Sequence, residues 1–128
     1  MRNNENDKYP EAELTYKLIG FAYDVYNLIG AGFPEKAYQS AYEKELQDQN
    51  IKFKRELYCN LMYKNSKVGR FFIDFLIEEK VVLEIKARGE IFDKDVAQTL
   101  AYMKMKNIRV GLIILFGEKG VKTKRLIQ

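Results

Sequence analysis

The spacing of apolar residues changes once along the chain, near residue 51, and this change limits the folds that the chain can adopt. Before it, apolar residues recur every three or four positions, which is typical of helices that bury one face. After it, short runs rich in aromatic and β-branched residues predominate, and these predict strands. Two amphipathic helices followed by strands favour an α/β domain in which helices pack on a sheet.

Turn and capping residues set the boundaries of these elements. Gly30 ends the first helix, Pro34 suits the first position of the second, and Asp93 is expected to cap the third. The predicted elements are helices at 11–29, 34–48 and 94–106 and strands at 51–63, 68–77, 81–87, 110–116 and 121–127. Their order is α-α-β-β-β-α-β-β, with 110–116 buried on both faces. We therefore expect a central mixed β-sheet flanked by helices.

The composition excludes several kinds of catalytic site. The chain has 128 residues, with one cysteine and no histidine. Ser-His-Asp triads, Cys-His pairs and histidine metal sites are therefore impossible. An enzyme of this composition must use carboxylates, lysines, tyrosines or a hard metal ion bound by oxygen atoms. The net charge of +4 suits a polyanionic partner without requiring one.

The length and the polar N-terminus suggest one domain with a short tail. Residues 1–10 are predicted to be a flexible tail, and residues 11–128 a single domain. The N-terminus lacks the apolar segment of a signal peptide, and no apolar run is long enough to span a membrane. We therefore expect a cytoplasmic protein that does not bind a membrane.

Two carboxylates interrupt the apolar strands of a predicted hairpin. If 78–80 is a three-residue loop, Asp74 lies directly opposite Glu84, and Lys86 follows on the same face. The other face of the first of these strands would carry Phe71, Ile73, Phe75 and Ile77. Two carboxylates this close repel each other unless a cation lies between them. Mg²⁺ would remove the conflict and lower the pKa of a bound water, and Lys86 would position that water or stabilise the transition state.

A surface interpretation of the same residues is equally open at this point. A two-residue loop would shift the register by one residue and place Asp74 and Glu84 on opposite faces of the sheet. The two carboxylates and Lys86 would then be solvent-facing residues with a local salt bridge. Because an Asp followed at a distance by Glu-x-Lys often occurs by chance, the pattern alone does not decide between the two interpretations.

Two motifs nevertheless resemble those of a known group of proteins. Asp74 followed by Glu84-Ile85-Lys86 matches the D-(x)n-E-x-K signature of the PD-(D/E)XK nuclease superfamily. Residues 32–38 read G-x-x-E-x-x-Y and resemble the motif that names the GxxExxY family within that superfamily. Agreement continues in the right order from about 14 to 127, at Arg70, Gln98, Tyr102, the strand ending in Phe116-Gly117, and Lys124-Arg125.

Two positions depart from the family pattern. Asp95 occupies a position where members often have a histidine, and Leu115 one where they often have an asparagine. Neither change affects the Asp, Glu and Lys of the signature. Asp95 does add a negative charge near the expected site, which would oppose the approach of DNA at that edge.

The resemblance implies a restriction-endonuclease-like core and a nuclease that uses Mg²⁺ or Mn²⁺ to hydrolyse phosphodiester bonds. Asp74, Glu84 and the carbonyl of Ile85 are expected to bind the metal, with Lys86 as the catalytic lysine. Glu35 and Gln98 are expected to join the catalytic set. Nucleic-acid contacts are predicted for Arg70, Tyr102, Lys124 and Arg125.

Alternatives accompany these assignments. Glu35 also fits a simple preference of a helix N-terminus for an anion, and Gln98 and Tyr102 fit a packed tyrosine with a hydrogen-bonded glutamine. Tyr38 is expected to belong to the core. DNA is favoured over RNA as the substrate, and a homodimer or a protein partner is left open. The alternative function is a catalytically weak nucleic-acid-binding or protein-interaction module on the same fold.

Overall fold

The computed structural model describes residues 9–128, which form three helices and one five-stranded sheet. The helices are α1 (Ala12–Ile29), α2 (Glu35–Asp48) and α3 (Asp93–Lys106), and the strands are β1 (Phe53–Tyr63), β2 (Ser66–Ile77), β3 (Val81–Lys86), β4 (Val110–Gly117) and β5 (Gly120–Ile127). The predicted order of elements is confirmed. Of the predicted tail, residues 1–8 lie outside the described part of the chain.

The sheet is mixed, as expected, and its strands lie in chain order from β1 to β5. β3 and β4 are parallel and are connected through α3, whereas the other neighbours are antiparallel. One core cluster packs beneath α1 and α2, and a second packs beneath α3. Since β4 lies between these two layers, its apolar residues are buried on both faces, as its unbroken apolar run predicted. No helix within residues 9–128 is long and apolar enough to cross a membrane.

All three predicted helix starts are wrong by one residue, and α1 begins at Ala12 with Glu11 as its N-cap. α2 begins at Glu35, because Pro34 keeps an extended backbone with ψ 155° and serves as the N-cap. α3 begins at Asp93, and its N-cap is Phe92. Here the side chain of the helix caps the N-cap residue: the backbone N–H of Phe92 donates to the carboxylate of Asp95 at 2.8 Å.

Tyr38 fixes the connection between α1 and α2. Its hydroxyl donates to the Gly30 carbonyl at 2.7 Å, and its ring stacks on Phe116 with centroids 4.4 Å apart. The side chain is only 1% exposed, so its expected place in the core is confirmed. The tyrosine of the G-x-x-E-x-x-Y motif therefore holds the first turn of α2, and with it Glu35, against the sheet.

The turn between β2 and β3 has the predicted length of three residues. Ile77 pairs with Val81, and the Lys80 N–H donates to the Ile77 carbonyl at 2.8 Å. Glu78 and Glu79 take positive φ angles of 54° and 57°, as in a type I′ turn. The two-residue loop required by the surface interpretation is therefore excluded, and the predicted register is confirmed.

The alternation of β2 side chains between the two faces of the sheet shifts at Asp74, which the sequence did not predict. Phe75 and Ile77 lie in the cluster beneath α1 and α2, whereas Phe71 and Ile73 lie in the cluster beneath α3. The prediction that these four share a face is wrong. Opposite Asp74, Glu56 of β1 has a φ of 50°, and this left-handed backbone interrupts the two-residue alternation of the hairpin.

Candidate active site

The candidate site lies where β2 and β3 separate. Regular backbone pairing of the two strands ends at Phe75 and Leu83. One residue further, the Asp74 N–H donates to Glu84 Oε2 at 2.9 Å, and the Ile85 N–H donates to Asp74 Oδ2 at 2.8 Å. Each carboxylate thus replaces a backbone carbonyl as the acceptor between the strands. The two residues come together as predicted, but through each other's backbone and not as a regular cross-strand pair.

Burial makes negative charge unfavourable at this position. Glu84 is only 2% exposed, and burial together with repulsion from Asp74 raises its pKa to about 8. Burial also raises the pKa of Asp74, although its hydrogen bond from Ile85 and the positive charge of Lys86 oppose the change. At neutral pH the pair therefore resists carrying two negative charges unless a cation compensates for them.

Helix α2 brings two further side chains to the carboxylates. Glu35 and Gln39 are four residues apart, so they share a helix face. Gln39 is buried and its side chain hydrogen-bonds Asp74. The negative charge of Glu35 adds to the raised pKa of both Asp74 and Glu84. Gln39 was not predicted from the sequence, although its spacing from Glu35 could have indicated it.

Lys86 supplies positive charge from the end of β3. Its ammonium group lowers the pKa of Asp74 and of Glu84, and therefore opposes the rise in pKa that burial causes. The side chain is half-buried, which leaves part of it open to a substrate. The structure thus brings together Asp74, Glu84, Lys86 and Glu35, all four of which the sequence proposed as one site.

Helix α3 places Tyr102 beside the same carboxylates. Burial, followed by the charges of Glu84 and Asp74, raises the Tyr102 pKa, and Gln98 hydrogen-bonds the phenol. The Tyr102 ring stacks on Phe71 with centroids 4.7 Å apart and an interplanar angle of 10°. This contact supports the packing interpretation of Tyr102. A catalytic role for Gln98 and a nucleic-acid contact for Tyr102 stay predictions.

Arg88 is a second cation at this edge, and sequence reasoning missed it. Its guanidinium makes two hydrogen bonds of 2.6 Å to the carboxylate of Asp95 and lies 4.6 Å from the centre of the Phe92 ring. Asp95 is buried, and its hydrogen bond from Arg88 lowers its pKa. Because the negative charge of Asp95 is paired with Arg88, it should oppose DNA less than expected, and its effect on DNA approach stays a prediction.

The predicted contacts Lys124 and Arg125 lie on opposite faces of the sheet. Lys124 shares a face with Glu84, two strands away, which is roughly 10 Å. Arg125 lies on the other face, where its guanidinium donates to the Pro10 carbonyl and to the Thr15 hydroxyl. Arg125 therefore fastens the start of α1 to β5, and the fold does not bring it to the carboxylates.

The oxygen atoms at the site are of the kind that a hard cation prefers. Within residues 9–128, no group of three or more His, Cys, Asp or Glu side chains converges as metal ligands do. Mg²⁺, however, is commonly held by one or two carboxylates together with waters and substrate oxygens. Asp74 and Glu84, each of which uses one oxygen for a backbone N–H, match that requirement.

Comparison with known proteins agrees with this geometry. The profile of the PD-(D/E)XK nuclease superfamily matches residues 12–126, which include all three helices and almost the whole sheet. The chain belongs to the PD-(D/E)XK nuclease superfamily. This membership indicates a nuclease-type function, whereas the narrower assignment to the GxxExxY family stays a prediction.

A solved structure also shares the fold of this chain. The structure described as "Crystal structure of SSO0001" is similar with a TM-score of 0.56 and 15% sequence identity. The match covers 73% of this chain but 50% of that protein, so this chain spans half the length of its structural relative. At this identity the likeness shows the shared fold. No curated protein matches the sequence.

Proposed function

We propose that the chain is a metal-dependent nuclease that hydrolyses phosphodiester bonds, with DNA favoured over RNA. The observation that carries this proposal is the pair of carboxylates of Asp74 and Glu84, with raised pKa values, beside Lys86. A buried pair of acids weakens a fold, since apolar side chains of similar size would pack at lower cost. Strongly perturbed carboxylates in this arrangement are typical of sites that are kept for chemistry.

Asp74, Glu84 and the Ile85 carbonyl would hold Mg²⁺ or Mn²⁺, cations that carboxylate and carbonyl oxygens suit. When bound, the cation would lower the pKa of a water and stabilise negative charge at the phosphorus centre. The raised pKa values of both acids support this assignment, because a cation would restore their charged forms.

The chain's own residues prepare the site before substrate arrives. The Ile85 N–H and the Gln39 side chain both hold the Asp74 carboxylate, so its orientation is set in advance. We assign to Lys86 the positioning of the attacking water or of a phosphate oxygen through its ammonium protons. Glu35, whose charge acts on both carboxylates, would orient a water beside them.

A cavity lined by Ala87 and Arg88, the residues that follow Lys86, would accommodate part of a nucleic-acid strand. It has a volume of about 570 Å³ and opens at the carboxyl ends of the parallel strands β3 and β4. Ligands of open α/β sheets commonly bind in such a crevice. Its lining includes Arg88, Lys119 and Lys122 together with Glu90 and Glu118, so positive charge is in slight excess there, which would suit phosphate groups.

Cleavage assays on labelled single- and double-stranded DNA and RNA, with Mg²⁺ and with Mn²⁺, test the proposal. Lys86→Ala is expected to cut at least about 100-fold more slowly than the wild type, in the range seen when one transition-state contact is removed. Lys44→Ala is the matched control, because Lys44 is an exposed lysine of α2 that pairs with Asp48. A folded wild type that cuts none of these substrates would instead favour the nucleic-acid-binding module.

Two further expectations belong to the same proposal. A homodimer would allow both strands of a duplex to be cut, and a cytoplasmic location would suit a nuclease without disulfides. Sedimentation of the purified protein and cell fractionation test them separately from the chemistry.

A further inference from the structure

The outer half of the β1–β2 hairpin, residues 57–73, carries aromatic and basic side chains on its surface. We call this segment the arm. The exposed large side chains are Tyr58, Met62, Tyr63, Val68 and Phe72, each between 44% and 62% exposed. The exposed basic residues are Lys64, Lys67 and Arg70. Between Glu56 and Asp74 the chain has no acidic residue, so the arm carries positive charge only.

The two faces of the arm differ in what covers them. On one face Cys59 and Ile73 are buried, and Phe71 stacks on Tyr102 of α3. On the other face Tyr58 and Phe72 lie edge to face, with ring centroids 5.4 Å apart and planes at 71°. No helix in the described part of the chain packs over this second pair. The face change at Asp74 takes this pair off the α3 side of the sheet, where regular alternation with Leu76 would have placed Phe72.

A lysine completes this exposed aromatic pair. Lys67 Nζ lies 2.6 Å from the Tyr58 hydroxyl and 5.4 Å from the centre of its ring. Arg70 emerges two residues before Phe72 on the same strand, so their side chains point to the same face. Ring surfaces and cations are thus interleaved, which is the combination that binds unpaired bases and their phosphates.

The arm begins at the candidate site. Phe72 is two residues from Asp74, and eight residues separate Asp74 from Ser66 at the far end of β2. At about 3.3 Å per residue, the arm therefore extends roughly 26 Å from the carboxylates. Glu84 lies on the α3 side of the sheet and the exposed rings lie on the other side, so a nucleic acid that reaches both would pass the hairpin at Asp74.

We propose that the arm binds single-stranded nucleic acid beside the bond to be cut, an inference that rests on the proposed nuclease function. Unpaired bases stack on Tyr58 and Phe72, and Lys67 and Arg70 contact the phosphates. Bases in a duplex are covered by their neighbours and cannot stack on exposed rings, whereas unpaired bases can. A second copy of the chain fits less well, because two arms of the same positive charge would repel each other.

Binding measured in EDTA tests the arm without any cleavage. Fluorescence anisotropy would follow a labelled oligothymidylate and a duplex of equal length at low salt. The wild type is expected to bind the single strand more tightly. Tyr58→Ala/Phe72→Ala is expected to weaken single-strand binding at least about tenfold, given the usual contribution of base–aromatic stacking.

Three further variants make the result specific. Tyr16→Ala, at a tyrosine of α1 that is 80% exposed, is the matched control and should bind within about twofold of the wild type. Phe72→Leu keeps apolar packing but removes a ring, so it should also weaken binding. It tests the same contact in case the double variant folds poorly. Arg70→Gln should reduce the slope of log affinity against log salt by about 0.7.

The possible outcomes separate the arm from the nuclease site. Equal affinity for the duplex, or unchanged affinity in both ring variants, overturns the proposal for the arm even if the protein cuts DNA. Loss of single-strand binding in the ring variants supports it even if no cleavage is found, in which case only the proposed nuclease function fails. Self-association that is lost in Tyr58→Ala/Phe72→Ala, without affinity for nucleic acid, would assign the arm to a dimer interface.

Discussion

Replacing Glu84 by glutamine should stabilise the metal-free protein, although it removes a residue of the candidate site. Burial and the Asp74 carboxylate raise the Glu84 pKa from an ordinary value of 4.5 to about 8. The folded state therefore binds more protons than the unfolded state between these values, and the stability of the wild type falls as the pH rises through this window. A glutamine has no such dependence, and its carbonyl oxygen can still accept the Asp74 N–H.

The size of the effect follows from the two pKa values. The full difference corresponds to roughly 5 kcal/mol of unfolding free energy at most, reached above pH 8. At pH 7 the same values give about 3 kcal/mol, and at pH 5 less than about 1 kcal/mol. For a chain of this length, we expect the melting temperature of Glu84→Gln to exceed that of the wild type by at least about 6 °C at pH 8.

Thermal unfolding followed by circular dichroism, in EDTA at pH 5 and pH 8, measures this difference. Glu13→Gln, at an exposed glutamate of α1, is the control and should follow the wild type at both pH values. Mg²⁺ or Mn²⁺ should raise the melting temperature of the wild type at pH 8 and have much less effect on Glu84→Gln. A glutamine variant that is less stable than the wild type at both pH values would refute the claim that charge is unfavourable at this position.

Two other substitutions test the parts of the fold that support the site. Tyr38→Phe removes the hydroxyl that donates to Gly30, so it should cost about 1 kcal/mol of stability and slow cleavage by loosening the start of α2. An unchanged melting temperature would show that this hydrogen bond does not hold the loop. Asp95→Asn removes the negative charge and one of the two oxygens that accept from Arg88, and should cost about 2 kcal/mol at pH 7 in chemical denaturation. Because the pKa of Asp95 lies below its ordinary value of 3.8, the cost should shrink as the pH falls below that value, and a cost independent of pH would contradict the ion pair.

The elements and the hairpin register were predictable because they depend on local patterns. A change from helical to strand periodicity is visible in the chain itself, and it defines every helix and strand to within a few residues. The apolar alternation of β2 and β3 then predicts which residues meet, and Asp74 and Glu84 do meet. The motif around Glu35 predicted that α2 would reach the same place.

Features that depend on single backbone angles or on distant side chains were not predictable. A glutamate has no particular preference for positive φ, so the sequence did not predict that the backbone of Glu56 would interrupt the side-chain alternation of the hairpin opposite Asp74. The same face change is what exposes Tyr58 and Phe72, so the arm was also missed. Arg88 was overlooked although Asp95 follows it by only seven residues, because their contact depends on the shape of the loop between β3 and α3.

Single-turnover cleavage by the wild type and by Asp74→Asn, with increasing Mg²⁺ or Mn²⁺, tests the central claim most directly. The asparagine keeps an oxygen that can accept the Ile85 N–H and removes an unfavourable charge, so in EDTA the variant should melt at least as high as the wild type. The account predicts cleavage that requires the metal in the wild type and is at least about 100-fold slower in the variant. Cleavage that persists in Asp74→Asn, or that does not depend on a divalent cation, would contradict it.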